Sequence, residues 1–243
     1  KTSIFDRRLQ GDKTINIYDF ETKSADRKAS QNNDDNNYSN EDYKKKLFEY
    51  LMNIQSTKEL VLQTMEGIKL NNSEKLITNP MPNLYFTKDP FSIIYDGIIL
   101  NNMLSVTRSR EVIYGEYIVN YHPRFSKLNK YYDRHEKYHI EGGDILILDD
   151  HIIGIGISER TEISAIKKLA ENIFKISDEK VDTILAFDIP KSRSFIHLDT
   201  VLTQVDIDKF VYYKEIDKTL KTFVITSIDK SLKIQQKQGS MRS

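Results

Sequence analysis

Tyr43, Leu47, Leu51 and Ile54 recur at helical spacing and predict a helix with one apolar stripe. Ser56 followed by Glu59 has the form of a capping box, which starts a second helix, and Gly67 stands where that helix would stop. Leu60 with Thr64, and Leu62 with Met65, supply its inner faces. Upstream, Ile15, Ile17 and Tyr18 mark a short strand within residues 12–19. The polar run from Gln31 to Asn37 has too little apolar surface to order itself and predicts a mobile loop.

From Pro80 the pattern changes to short apolar runs. Phe91–Tyr95 and Ile98–Asn101 flank Asp96-Gly97, a strong signal for a two-residue hairpin turn. Asp144–Leu148 and Ile152–Ile157 flank Asp149-Asp150-His151 as a second hairpin. Thr161 then caps a helix carrying Ile163, Ile166, Leu169, Ala170 and Ile173 on one side, and Val181–Phe187 and Val201–Val205 are further strands. Strand-strand-helix-strand thus recurs, and runs without strict alternation predict strands buried on both faces. The pattern is that of an α/β domain with a small helical segment near its start.

Composition narrows the function classes. Hydrophobic residues make up 39% of 243, enough for a core, and 36 basic residues balance 36 acidic ones. A neutral chain gives no electrostatic reason to expect nucleic acid or an anionic membrane as partner. No cysteine is present, which removes a disulfide framework and any thiolate metal site. The first residues, Lys1 to Arg8, lack the apolar core of a signal peptide, and the apolar stretch 145–157 is interrupted by Asp149-Asp150-His151. A cytoplasmic protein is the expectation.

His135-Glu136-Lys137-Tyr138-His139 matches the zinc-peptidase pattern, in which two histidines one helical turn apart bind the metal beside a glutamate that acts as general base. Ile145 occupies the place where a third histidine would fall, and Glu159 is the nearest alternative ligand. The preceding residues carry no apolar helical stripe, and Gly142-Gly143 follow at once, so a loop is expected rather than a zinc site.

Four stretches place polar residues beside strands that read as buried. They are Met81-Pro82-Asn83-Leu84-Tyr85-Phe86-Thr87-Lys88-Asp89-Pro90; Thr107-Arg108-Ser109-Arg110-Glu111; Ile140-Glu141-Gly142-Gly143-Asp144 with Gly156-Ile157-Ser158-Glu159-Arg160-Thr161; and His197-Leu198-Asp199-Thr200. Singly, each has a plain explanation. Asp89 could begin a turn, Glu141 could sit in a loop, His197 could be a packing histidine, and Arg108 and Arg160 could be surface charges.

Together, in this order, the four stretches resemble the arginine deiminase family, over roughly residues 12–236 and most densely from Pro80 to Tyr213. The resemblance implies hydrolysis of free L-arginine to L-citrulline and ammonia, without metal or cofactor. Asp89 and Asp199 would hold the substrate guanidinium by paired hydrogen bonds. A cysteine thiolate would attack its carbon, with His197 as general acid and base and Glu141 assisting. Arg108, Arg160 and Asn83 would clamp the α-carboxylate, Phe86 would pack on the aliphatic stem, and Asp144 would also contact substrate. The implied fold is an α/β propeller of repeated units: 1–20 as a remnant of the first, 21–78 as loop and helical insertion, and 79–243 as further units.

The chain departs from the family in two ways: Lys88 replaces the commoner arginine, and the nucleophilic cysteine is absent. The expectation is an incomplete propeller lacking its last unit, inactive as written. Exposed strand edges would then favour self-association or a homo-oligomer. A relative that binds arginine or a protein without catalysis is the alternative, ahead of a zinc peptidase.

Overall fold

The computed structural model describes residues 40–69, 76, 78–177, 181–229 and 231–238. The strand expected within 12–19, the loop expected at 31–37 and the segment 1–20 lie outside them. The chain divides into two units, Lys1–Tyr85 with Ser105–Ser126, and Phe86–Leu104 with Lys127–Ser243.

The described part of the first unit is helical: α1 (Asn40–Asn53), α2 (Thr57–Glu66), α3 (Val106–Ser109) and α4 (Val112–Tyr121). Ser56 is extended, and its Oγ accepts from the Glu59 amide at 3.4 Å, so the predicted cap holds. Gly67 ends α2 at φ +89°, a conformation that side chains resist. Leu47, Leu51, Leu60 and Ile68 form the core of this unit. Leu62, expected to face inward, is exposed, while Leu60 and Thr64 on the other predicted face are buried. Arg110 is buried as well, and its guanidinium donates to the Asn79 carbonyl and to the Thr64 carbonyl in the last turn of α2. That carbonyl lies at the negative end of the helix, which suits a cation. Burial still lowers the Arg110 pKa to about 10.

The second unit holds three sheets. Strands β1 (Phe91–Ile94), β2 (Gly97–Leu100) and β3 (Asn129–Tyr132) form one, in the order β1-β2-β3. Strands β4 (Ile145–Ile147), β5 (Ile152–Ile157), β6 (Thr183–Asp188), β9 (Lys221–Ile228) and β10 (Ser231–Gln238) form a mixed sheet, ordered β10-β9-β6-β5-β4. Strands β7 (Leu202–Asp206) and β8 (Lys209–Tyr212) pair as a separate hairpin.

Helix α5 (Ile163–Ile176) joins the parallel pair β5 and β6. Parallel neighbours need such a crossover, and α5 supplies it by burying Ala165, Ile166, Leu169, Ala170 and Ile173 in the core with Ile153, Ile155 and Ile184. The expected alternation of strands with a helix is therefore observed, in a mixed α/β fold. No sheet closes on itself among the described residues, so the propeller implied by resemblance is not seen as a closed ring. No helix among the described residues is long and apolar enough to cross a membrane.

Two local expectations are corrected. Ile94 pairs with Gly97, so the first hairpin turns through Tyr95 and Asp96, not Asp96 and Gly97. Tyr95 takes φ +48° and donates its hydroxyl to the Asp149 carbonyl. Gly97 is inside the strand because the Tyr131 ring lies against it: a Cβ there would stand 2.1 Å from that ring. The second correction concerns α5. Its N-cap is Glu162, and the Thr161 hydroxyl is used elsewhere, as described below.

Candidate active site

Asp89, Glu141, Asp144, Arg160, His197 and Asp199 all belong to the second unit. Three loops bring them together. The first follows β3 and ends in the extended residue Glu141 and the 3-10 turn Gly142–Asp144. Its neighbour is the stretch before β1, since the Asp89 carbonyl accepts from the Gly142 amide at 3.2 Å and from Asn101 Nδ2 at 2.6 Å. The second loop, Ser158 to Thr161, closes on the Ser158 hydroxyl, which accepts from the amides of Arg160 (2.9 Å) and Thr161 (3.1 Å). The third begins at extended His197, whose carbonyl accepts from the Thr200 amide at 3.1 Å and hydroxyl at 2.6 Å.

Asp144 ties the three loops. It is fully buried, and its Oδ2 accepts from Thr161 Oγ1 (2.6 Å), Ser158 Oγ (2.7 Å) and His197 Nδ1 (3.2 Å). Oδ1 accepts from the Leu198 amide at 2.9 Å. Three donors thus converge on Oδ2 and one on Oδ1. Thr161, read from sequence as a helix cap, is thus committed to Asp144 and to the Glu141 amide, which donates to its hydroxyl at 3.1 Å.

Glu141 is fully buried too. Its Oε1 accepts from the Leu104 amide at 3.0 Å and lies 3.7 Å from Arg160 Nη1, and its Oε2 lies 3.5 Å from His197 Nε2. Burial raises the Glu141 pKa, and the charges of His197 and Arg160 counter only part of that. Burial pulls the His197 imidazole down, but the hydrogen bond and charge of Asp144, with Glu141 and Asp89, raise it overall. Gly143 admits the imidazole, since a Cβ on it would lie 2.6 Å from the His197 ring.

Asp199 lies further out, with its side chain 39% exposed and Oδ2 3.6 Å from Lys88 Nζ. Partial burial raises its pKa, offset in part by Lys88 and His197. Asp89 is half-buried, and its charge bears on Glu141, His197 and Asp199 alike. Phe86 is exposed, at 55%.

Asn83 and Arg108 belong to the first unit and form a cluster of their own. Buried Glu111 accepts from the Asn83 amide through Oε1 (2.9 Å) and from Arg108 Nε through Oε2 (3.0 Å). Arg108 Nη2 also lies 3.0 Å from that oxygen and donates to the Asn83 carbonyl at 3.4 Å. Glu111 was missed as a site residue, although its place three residues after Arg108 puts the two within pairing distance. Ser158 and Thr161 were missed because hydroxyls in a loop carry no signal until the fold brings a carboxylate to them.

The zinc-peptidase pattern fails on geometry. Residues 134–138 run through turns and bends, so His135 and His139 do not sit on a helix. Among the described residues no group of histidines and carboxylates is arranged to hold a metal ion.

A family model described as arginine deiminase matches residues 6–242. An arginine deiminase of Treponema denticola is 44% identical over 212 residues, covering 81% of this chain and 52% of that protein. One from Streptococcus agalactiae is 42% identical over 216 residues, covering 82% and 52%. The chain thus spans about half the length of the curated relatives it matches. Among solved structures, a dimethylarginine dimethylaminohydrolase adduct with S-methyl-L-thiocitrulline aligns with TM-score 0.44 and 19% identity, covering 56% of this chain and 49% of that one.

Proposed function

Because the chain belongs to the arginine deiminase family, we propose that it carries the arginine-binding and proton-transfer groups of an enzyme hydrolysing L-arginine to L-citrulline and ammonia. The observation that carries this reading is the buried pair Glu141 and His197, 3.5 Å apart, both with raised pKa. A histidine that holds its proton near neutrality can deliver it to a departing amine, then recover one from water. Glu141 balances that positive charge beside a cationic substrate.

The substrate guanidinium is planar and cationic, and Asp89 and Asp199 are the carboxylates assigned to its two edges. In the second unit, Arg160 is assigned to the α-carboxylate and exposed Phe86 to the aliphatic stem; in the first, Arg108 and Asn83, which the family resemblance assigns to the α-carboxylate, are held by Glu111. The thiolate that attacks the guanidinium carbon has no counterpart among these 243 residues. The polypeptide alone therefore binds arginine without turning it over. A propeller architecture, a cytoplasmic location and self-association complete the proposal.

Calorimetry on the 243-residue chain with L-arginine, and with L-lysine as control, tests it. Arginine binding that Asp199→Asn weakens at least tenfold, with no citrulline formed, is the expected result. Equal affinity for lysine, or citrulline production at rates of an ordinary enzyme, would overturn it.

A further inference from the structure

Asp144 was expected to touch substrate, yet it is fully buried and four protein donors occupy its oxygens. Two of those donors, the imidazole Nδ1 and the next amide, come from consecutive residues, His197 and Leu198. The other two are the hydroxyls of Ser158 and Thr161, which fix the carboxylate itself. The arrangement grips the histidine at ring and backbone and leaves the carboxylate no room to rotate.

A carboxylate oxygen opposite Nδ1 demands a hydrogen on that nitrogen. In the neutral imidazole the lone pair is then on Nε2, which faces Glu141 Oε2, an oxygen with no hydrogen-bond partner among the described residues. We propose that Asp144 is a positioning residue that fixes His197 in the Nδ1–H tautomer, so that Nε2 is the atom that gains and loses the proton, in exchange with Glu141. The catalytic purpose of this device rests on the deiminase reading; the tautomer does not. The other charged groups bearing on the pair are Asp89 and Arg160, with Asp199 outside them. None of the three bonds Nδ1, so none substitutes for Asp144 in choosing the tautomer.

Nitrogen-15 spectra of the histidine-labelled chain, followed through pH and assigned by the loss of one ring in His197→Gln, read the tautomer directly. In the wild type, Nδ1 should keep its hydrogen across the titration while Nε2 alone moves between its protonated and unprotonated shifts. In Asp144→Asn the neutral ring should become a mixture or switch to Nε2–H, and the titration midpoint should fall. If Asp144→Asn does not fold, Ser158→Ala, which loosens the carboxylate but keeps it, should give a partial switch in the same direction. A wild-type Nε2–H tautomer would overturn the inference, as would a folded Asp144→Asn with unchanged tautomer and midpoint. Arginine calorimetry on the same samples separates the two readings: Nδ1–H without arginine binding removes the deiminase reading and leaves this one standing.

Discussion

Glu141 Oε2 lies 3.5 Å from His197 Nε2, and both groups are buried with pKa values displaced upward. The sign of the consequence for stability follows from linkage. A folded-state pKa above the unfolded value means the native protein binds more protons, so stability falls as pH rises through the window between them. For His197 that window opens at 6.5 and extends upward. Thermal unfolding should therefore show stability declining above that pH, by up to about 1.4 kcal/mol per pH unit. His197→Gln, which does not titrate, should flatten the decline. A wild-type melting temperature that rises between pH 6.5 and 8 would contradict the assignment.

Glu111 has a different task. It satisfies the Asn83 amide and the Arg108 guanidinium from a fully buried position. Glu111→Ala takes this acceptor from the Asn83 backbone amide and from Arg108 Nε, and removing one partner of a buried ion pair costs about 3–5 kcal/mol. Glu111→Gln keeps an acceptor for one donor and should cost less. Urea unfolding ranks the two variants against the wild type, and midpoints equal to the wild type would show that the pair contributes little. If Asn83 and Arg108 bind the substrate α-carboxylate, Glu111→Gln should also weaken L-arginine binding while leaving His197 titration unchanged.

Much of this architecture was legible in the chain because local chemistry and fold agree there. Ser56 caps α2, the Asp149-Asp150-His151 turn joins β4 and β5, and α5 buries the stripe its spacing predicts. Errors arose where a distant partner overrode a local rule. Asp96-Gly97 is a strong turn signal, but the Tyr131 ring claims the space beside Gly97, and Tyr131 Oη and Asn129 Nδ2 claim the Asp96 carboxylate. Thr161 is a good cap residue, yet Asp144 takes its hydroxyl.

Other elements left little trace. Val112–Tyr121 is a helix buried at Val112, Ile113, Gly115, Tyr117 and Val119, so it lacks the polar face that makes helical periodicity visible. The long pair β9–β10 turns at Asp229, at φ +50°, without a glycine to announce it, and β10 is almost wholly polar. At the site, the charged residues were visible in the motifs, while the hydroxyls and Glu111 that hold them became visible only with their partners.

The β7–β8 hairpin bears on self-association. Val205, Ile207 and Val211 are 61%, 89% and 62% exposed, on a two-stranded sheet whose outer edges are unpaired among the described residues. Such a surface favours association. Size-exclusion chromatography should show elution shifting with concentration, and Ile207→Lys with Val211→Lys should suppress the shift. A monomer at every concentration would remove the proposal.

Gly143→Ala isolates the placement of His197 from its chemistry. The added methyl would stand 2.6 Å from the ring, nearer than carbon atoms approach without something moving. The backbone there is ordinary, with no positive φ recorded for Gly143, so the cost is displacement of the imidazole and not backbone strain. Overpacking of this kind costs about 1–3 kcal/mol in a close-packed interior. If the ring yields, Nδ1 loses its place opposite Asp144 and Nε2 its place opposite Glu141. The histidine midpoint should then drop toward the ordinary value, because Asp144 and Glu141, two of the carboxylates that raise it, are further away. A variant equal to wild type in stability, with its histidine midpoint unchanged, would show that Gly143 does not set the ring position.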